Sequence, residues 1–321
     1  MRKKLKVCLV GSSGGHLTHL YMLKPFWQDK NRFWVTFDKL TFTTSLKLKK
    51  HLRPIMMILC YSAMITIYSN SDIIMLGVIK NDSVVGAYSV AAKIYGIAKN
   101  IFIAALTVLL PRISSYLGNN ELTKMKAIIN KTLNFLLIGL APAIALLIFY
   151  AKQIIMLVAG KDYIQGAESL KLLSVALLFA IVSSLLTTNI MIPNRQEDKI
   201  TVIVAISAIT NVLLNFCLIP IWGASAAALT TVIAELIVCA GALIFTEKYI
   251  EFKNIITMLL KSLLSCIGMI LTLVFISGLQ INNIIELFLG SIISCLIYIV
   301  CLVLLNLRTL KKCLLVVVNR Q

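Results

Sequence analysis

Residues 200–245 read ITVIVAISAITNVLLNFCLIPIWGASAAALTTVIAELIVCAGALIF, and this stretch decides the fold. Asn211, Asn215 and Glu235 are its only amide or charged side chains, and Pro220 with Gly223 divides it into two apolar runs of roughly 20 residues each. At 1.5 Å per residue, one such run wound as a helix covers the ~30 Å hydrocarbon core of a bilayer. The pattern repeats outward in both directions. It predicts spans over 54–79, 84–110, 131–150, 170–191, 200–221, 224–245, 255–276 and 284–305. The expected fold class is therefore an all-α polytopic membrane protein of about eight transmembrane helices.

Composition agrees. With 59% hydrophobic residues and a mean hydropathy of +0.92, a chain of 321 residues has too little polar surface to cover a water-soluble globule. The net charge of +18 would suggest nucleic acid in a soluble protein, so the placement of the charge is what matters. Lys and Arg number 12 in residues 1–53, 4 in 111–131, 2 in 192–199, 2 in 246–254 and 4 after 305, or 24 on one side of the predicted spans. The opposite side carries Lys80, Lys152, Lys161 and Lys171. This asymmetry is the positive-inside signature: it places both termini in the cytoplasm, assigns the cations to anionic lipid headgroups, and leaves no need for a nucleic-acid partner.

The eight cysteines, Cys8, Cys60, Cys217, Cys239, Cys266, Cys295, Cys301 and Cys313, show no CxxC spacing and no companion His cluster. They read as small apolar packing residues, with no metal and no disulfide indicated. MRKKLKVCLVGSSGG contains only a five-residue apolar run before its glycines, so no cleavable signal peptide is expected and insertion is expected to begin at the first span.

The first forty residues differ from the rest. KVCLV at 6–10 is a β-branched run ending in Gly11-Ser12-Ser13-Gly14-Gly15-His16, after which Leu17, Leu20, Met22 and Leu23 recur at helical spacing. FWVTF at 33–37 reads as a second strand, which gives the opening of a strand, glycine loop, helix, strand unit. Glycines there let backbone amides approach a phosphate at a helix amino end, with His16 as a donor; the other reading is a tight turn that binds nothing. The string VGSSGGHLTHLYMLKPFWQDKNRFWVTFDK resembles the start of the bacterial membrane-anchoring subunits of two-protein glycosyltransferases of capsule and exopolysaccharide synthesis. The resemblance covers residues 1–39 and implies a cytoplasmic glycosyltransferase as partner. It stops before most of that family's sheet, so glycosyltransferase activity is not expected.

Residues 45–321 carry a second resemblance. YSNSDIIMLGVI with Asp72, VVGAYSVAAKIYGIAKNIF, LTVLLPRISSYL and ITNVLLNFCLIPIWGASAAALTTVIAE resemble, in order and spacing, the second helical bundle of bacterial polysaccharide flippases of the multidrug/oligosaccharidyl-lipid/polysaccharide exporter superfamily. The resemblance implies a plasma-membrane protein of polysaccharide biosynthesis that moves an undecaprenyl-diphosphate-linked oligosaccharide between leaflets. Such flippases hold two bundles, and these strings match one, so the expectation is a bundle incomplete alone. Its partners would be the lipid bilayer, the lipid-linked oligosaccharide, and a separately encoded first bundle or a second copy. The alternative is a membrane scaffold that docks a glycosyltransferase.

Within the spans, Asp72 lies ~10 Å inside one edge of the first and Lys93 at similar depth in the second. They are expected to pair, either structurally or as a site that also contacts ligand, because an unpaired charge there costs on the order of 3 kcal/mol. Lys99 lies deeper, with no carboxylate evident on its own hairpin. It is either a contact for a diphosphate or a snorkelling side chain. Asn211 and Asn215, four apart, share one helix face and can bond across helices. Glu235, mid-span, suits proton coupling or a helix-to-helix hydrogen bond. Lys261 and Glu286 are expected to snorkel from span ends, and Pro111, Pro142 and Pro220 to mark kinks or ends. Asp72, Glu235 and Glu286 show no acid and base spacing, and two of the three histidines fall before residue 20, so neither catalysis nor a cofactor is expected.

Overall fold

The computed structural model describes residues 6–11, 31–36, 70–279 and 282–318, grouped in two units, Met1–Met64 and Ile65–Gln321. In the first unit, β1 (Lys6–Gly11) and β2 (Asn31–Thr36) pair in parallel, with Cys8 opposite Phe33 and Leu9 opposite Trp34. β2 begins two residues before the expected strand. Parallel pairing demands a crossover between the strands. Ser12, Ser13, Gly14, Gly15 and His16 of the candidate phosphate loop lie outside the described residues; Gly11 closes β1.

The second unit is a bundle. Its helices are α1 (Asn70–Ile79), α2 (Asp82–Thr107), α3 (Leu110–Gly118), α4 (Leu122–Phe149), α5 (Ala151–Ala159), α6 (Gly166–Ser184), α7 (Glu197–Trp222), α8 (Ala224–Thr246), α9 (Phe252–Ser277) and α10 (Asn283–Val318). Among the described residues, seven helical stretches are long and apolar enough to cross a membrane, and α1 adds a shorter apolar helix. The start of the first expected span, 54–69, lies outside the described residues. Two starts show local chemistry: the Asn81 side chain accepts from the Val84 amide at 3.1 Å to cap α2, and Glu197 and Asp198 sit at the positive end of the α7 dipole.

α6 is the axis of the bundle. It packs against α2, α4 and α8, and 56% of its apolar window is buried, the largest share of any span. Helices approach closely in a membrane where side chains are small, because the gain there comes from packing rather than from water release. Ala167, Ala176 and Ala180 on α6 and Ala226, Ala227, Ala228 and Ala234 on α8 are all buried. At Gly166 the approach of α6 to α2 is so close that a Cβ there would run into the Ala87 carbonyl oxygen. The outward faces carry bare Leu213, Phe216, Leu271 and Phe275, as a lipid-facing surface requires.

Pro142 and Pro220 sit inside α4 and α7, and Pro111 opens α3. The carbonyl of Pro220 accepts from Lys80 Nζ at 2.9 Å, tying the α1 end to the α7 end. After Ser184, α6 continues as a π-helical segment, Leu185–Met191, whose wider turn is not marked by any proline or glycine. Beyond it the Tyr249 hydroxyl donates to Asn194 Oδ1 at 3.1 Å. Asn130 of α4 donates to the Tyr249 carbonyl at 3.0 Å and accepts from the Glu251 amide at 2.7 Å. Two connections between helices are thereby fixed to α4. α9 and α10 pair with each other and attach chiefly through α4, around Tyr150, Met269, Leu273 and Tyr298. Glu286 does not snorkel: it is 6% exposed, in the turn whose carbonyl accepts from the Tyr150 hydroxyl at 3.2 Å. Depth along the helix was compatible with the interface, but its face points inward.

Candidate functional site

Asp72 is buried, and its carboxylate is fully engaged. Oδ2 accepts from the Tyr88 hydroxyl of α2 at 2.8 Å and from the Thr231 hydroxyl of α8 at 2.7 Å; Oδ1 accepts from Asn215 Nδ2 of α7 at 2.5 Å. Asn215 Oδ1 in turn accepts from Thr230 at 2.5 Å, and Asn211 Oδ1 accepts from Ser71 and from Asn215, each at 3.2 Å. Four helices are joined by this network. Asn211 and Asn215 do share a face, and it is the face turned to α1.

The expected Asp72 and Lys93 pair is corrected here. Lys93 is exposed, and Asp72 is held by neutral donors. The two residues match in depth, but helical phase separates them: Lys93 lies five residues after Tyr88, ~140° around α2, whereas Tyr95 and Lys99 return to within ~20° of Tyr88. Tyr88, Tyr95 and Lys99 form the inward stripe.

Lys99 meets its carboxylate on another helix. Its Nζ lies 2.6 Å from Glu235 Oε1, near the middle of the 23-residue α8, and the Tyr95 hydroxyl donates to the same oxygen at 3.3 Å. The ammonium also lies 5.6 Å from the centroid of the Tyr95 ring, within cation–π range. The side chains are 28% exposed for Lys99 and 10% for Glu235. Both groups border a cavity of about 200 Å³ that Asp72, Tyr88, Tyr95 and Thr231 also line. That volume holds several waters or one phosphate group.

Sequence reasoning did not single out Tyr88, Tyr95, Thr230, Thr231 and Ser71. Tyr88 and Tyr95 are seven apart and so share the stripe with Lys99, a spacing that was available. The hydroxyls of Thr230 and Thr231 gave no signal, because such groups usually bond to their own helix backbone.

The continuous stretch of α2 and α3, Asp82–Gly118, is the least covered of the spans, with 6% of its apolar window buried, and Lys93 and Asn100 stand exposed on α2. A second cavity of about 420 Å³ between α4, α6 and α9 is lined by Leu137, Ile144, Phe149, Leu178, Leu263 and Cys266 among other apolar residues.

A membrane-crossing helical bundle with a charged, hydrogen-bonded cavity among its helices defines a polytopic membrane protein with an internal polar site. Within that class the chain belongs to the lipid II flippase MurJ family, whose model matches residues 13–301. It is also similar to a "Probable low-salt glycan biosynthesis flippase Agl15" of Haloferax volcanii, with 23% identity over 167 residues, 52% of this chain and 35% of that protein. The chain thus spans about a third of the length of that curated relative. The family and this relative are named as flippases, a class of transporter.

Proposed function

We propose that this chain supplies one wall of a flippase for a saccharide carried on an isoprenoid diphosphate, undecaprenyl diphosphate in a bacterial plasma membrane, serving capsule or exopolysaccharide assembly. One observation carries the reading: a cavity holding Lys99, Glu235 and Asp72 lies beside the uncovered face of α2, where Lys93 and Asn100 stand bare. A lysine facing hydrocarbon costs on the order of 3 kcal/mol, so that face belongs against water or protein. With a second bundle opposite, Lys99 at the cavity engages a diphosphate and Lys93 faces the partner bundle on the other side of α2, while the wholly apolar cavity between α4, α6 and α9 suits an isoprenoid chain. Asn211, Asn215 and Asp72 hold the helices in register behind them. Alternating access requires two bundles that rock around such a site, so activity needs a partner bundle opposite this one. The distribution of basic residues orients both termini to the cytoplasm.

A second reading has its own observation. β1 and β2 pair in parallel, and in this reading residues 1–39 dock a cytoplasmic glycosyltransferase. That reading calls for a soluble partner co-purifying with the chain.

Complementation separates the two. In a strain lacking its polysaccharide flippase, this chain alone should leave the cell surface bare, and co-expression with a six-span first bundle should restore polymer; Lys99→Met should abolish the restoration. Normal polymer from the chain alone would show that copies pair with each other. Lys99→Met restoring as well as the native chain would remove the cavity from the account.

A further inference from the structure

We infer that Glu235 is an exchangeable counter-ion for Lys99: a diphosphate entering the cavity takes the place of Glu235 at the ammonium, and the Tyr95 hydroxyl keeps the displaced carboxylate. The inference rests on the reading of Lys99 as the diphosphate contact and concerns what sets its selectivity.

Three features of the site support it. The pair is unlike the other ion pairs among the described residues, Lys124 with Glu121 and Lys171 with Glu168, which are local i,i+3 contacts with at least one partner well exposed. Lys99 and Glu235 come from helices far apart in sequence and close at 2.6 Å. The exposure is also asymmetric. Lys99 is nearly three times as exposed as Glu235, and an ammonium has three donors, of which Glu235 Oε1 takes one. The ammonium borders the cavity, where a ligand oxygen fits. Finally, the other carboxylate of the cavity is not available for exchange: Asp72 is saturated by Tyr88, Thr231 and Asn215.

The groups bordering Glu235 are Lys99, Tyr95 and Tyr88 of α2, Asp72 of α1, the neutral Asn211 of α7, and Cys239 one turn along α8. Lys99 is the single cation among them. A phosphate group entering beside Glu235 and Asp72 therefore meets two like charges and one opposite one. A small free phosphate has nothing further with which to offset that repulsion. A lipid-linked diphosphate brings chain and sugar contacts, which hold it in place while it competes for the ammonium. Glu235 thus acts as a threshold: it leaves Lys99 closed to soluble phosphates and open to the same chemistry on a lipid. Selectivity by a built-in repulsive element is a general device.

The test uses the full chain in nanodiscs, titrated with undecaprenyl diphosphate and, separately, with inorganic pyrophosphate. The native chain should bind the lipid and bind pyrophosphate at least about fivefold more weakly than Glu235→Gln does, a factor within the usual range of coupling between a ligand and a protein group. Glu235→Gln should tighten both ligands, pyrophosphate the more. Lys99→Met should lose both, and the double variant should match Lys99→Met. Tyr95→Phe should weaken the lipid, since the displaced carboxylate then has no donor. Glu235→Asp, which withdraws the carboxylate by one methylene, serves should Glu235→Gln fail to elute as a folded species, and should show an intermediate gain. Glu235→Gln or Glu235→Asp leaving both affinities unchanged, or weakening them, overturns the exchange. Unaltered lipid binding by Lys99→Met overturns the underlying assignment of Lys99 instead.

Discussion

Asp72→Ala should destabilise the bundle by about 3 kcal/mol, because it removes one acceptor from three buried donors at once. Tyr88 and Asn215 are almost wholly buried, and with Thr231 they have converged on this carboxylate from α2, α7 and α8. Each donor left without an acceptor in a site away from bulk water costs on the order of 1 kcal/mol or more, and membrane hydrogen bonds measured singly average about 0.6 kcal/mol. Asp72→Asn keeps the shape and one oxygen acceptor, so it should lose less than half as much. Denaturation of the detergent-solubilised protein, followed by helical circular dichroism, gives both values. Equal losses for Ala and Asn would mean that volume, and not hydrogen bonding, is what Asp72 contributes; losses below about 0.5 kcal/mol would place the network outside the stabilising core.

Lys99→Met should cost about 3 kcal/mol, because it leaves the Glu235 carboxylate, 10% exposed, without its counter-ion, and unmatched buried charge is the expensive case. Glu235→Gln should cost less, since the more open Lys99 keeps the cavity and an amide oxygen to donate to. The double variant should be more stable than Lys99→Met alone, with a coupling of at least about 1 kcal/mol in the same unfolding measurement. Losses that add to within about 0.5 kcal/mol would show that the two side chains sit close without interacting.

The helices were legible because a membrane span is a one-dimensional signal: apolar length alone predicts Ile200–Ile221 and Ala224–Phe245, and the structure gives Glu197–Trp222 and Ala224–Thr246. α4 shows the limit of that signal. It starts at Leu122, nine residues before the expected Lys131, because the helix continues beyond the apolar run with Lys124 and Lys126 on it. Depth is likewise linear in sequence, so Asp72, Lys99 and Glu235 were recognised as buried in the span. Partners are not linear. Lys99 and Glu235 are 136 residues apart, and only the packing of α2 and α8 around α6 brings them together. Asp72 and Lys93 show the converse: adjacent helices and equal depth, but opposite phase. A helical wheel drawn from Tyr88 would have found Tyr95 and Lys99 on the inward stripe and set Lys93 apart. The π segment holds no proline or glycine of its own, and the nearest such residue is Pro193, two residues past its end.

The central claim is that this bundle is one wall of a two-walled path, and transbilayer movement measures it directly. The full chain is reconstituted at less than one copy per vesicle with a fluorescent undecaprenyl-diphosphate saccharide, and an external reductant bleaches only the outer leaflet. The account gives, for the chain alone, the half-bleached plateau of protein-free vesicles, and a deeper plateau when a six-span first bundle is incorporated with it. Full bleaching by single copies of the chain alone would contradict it.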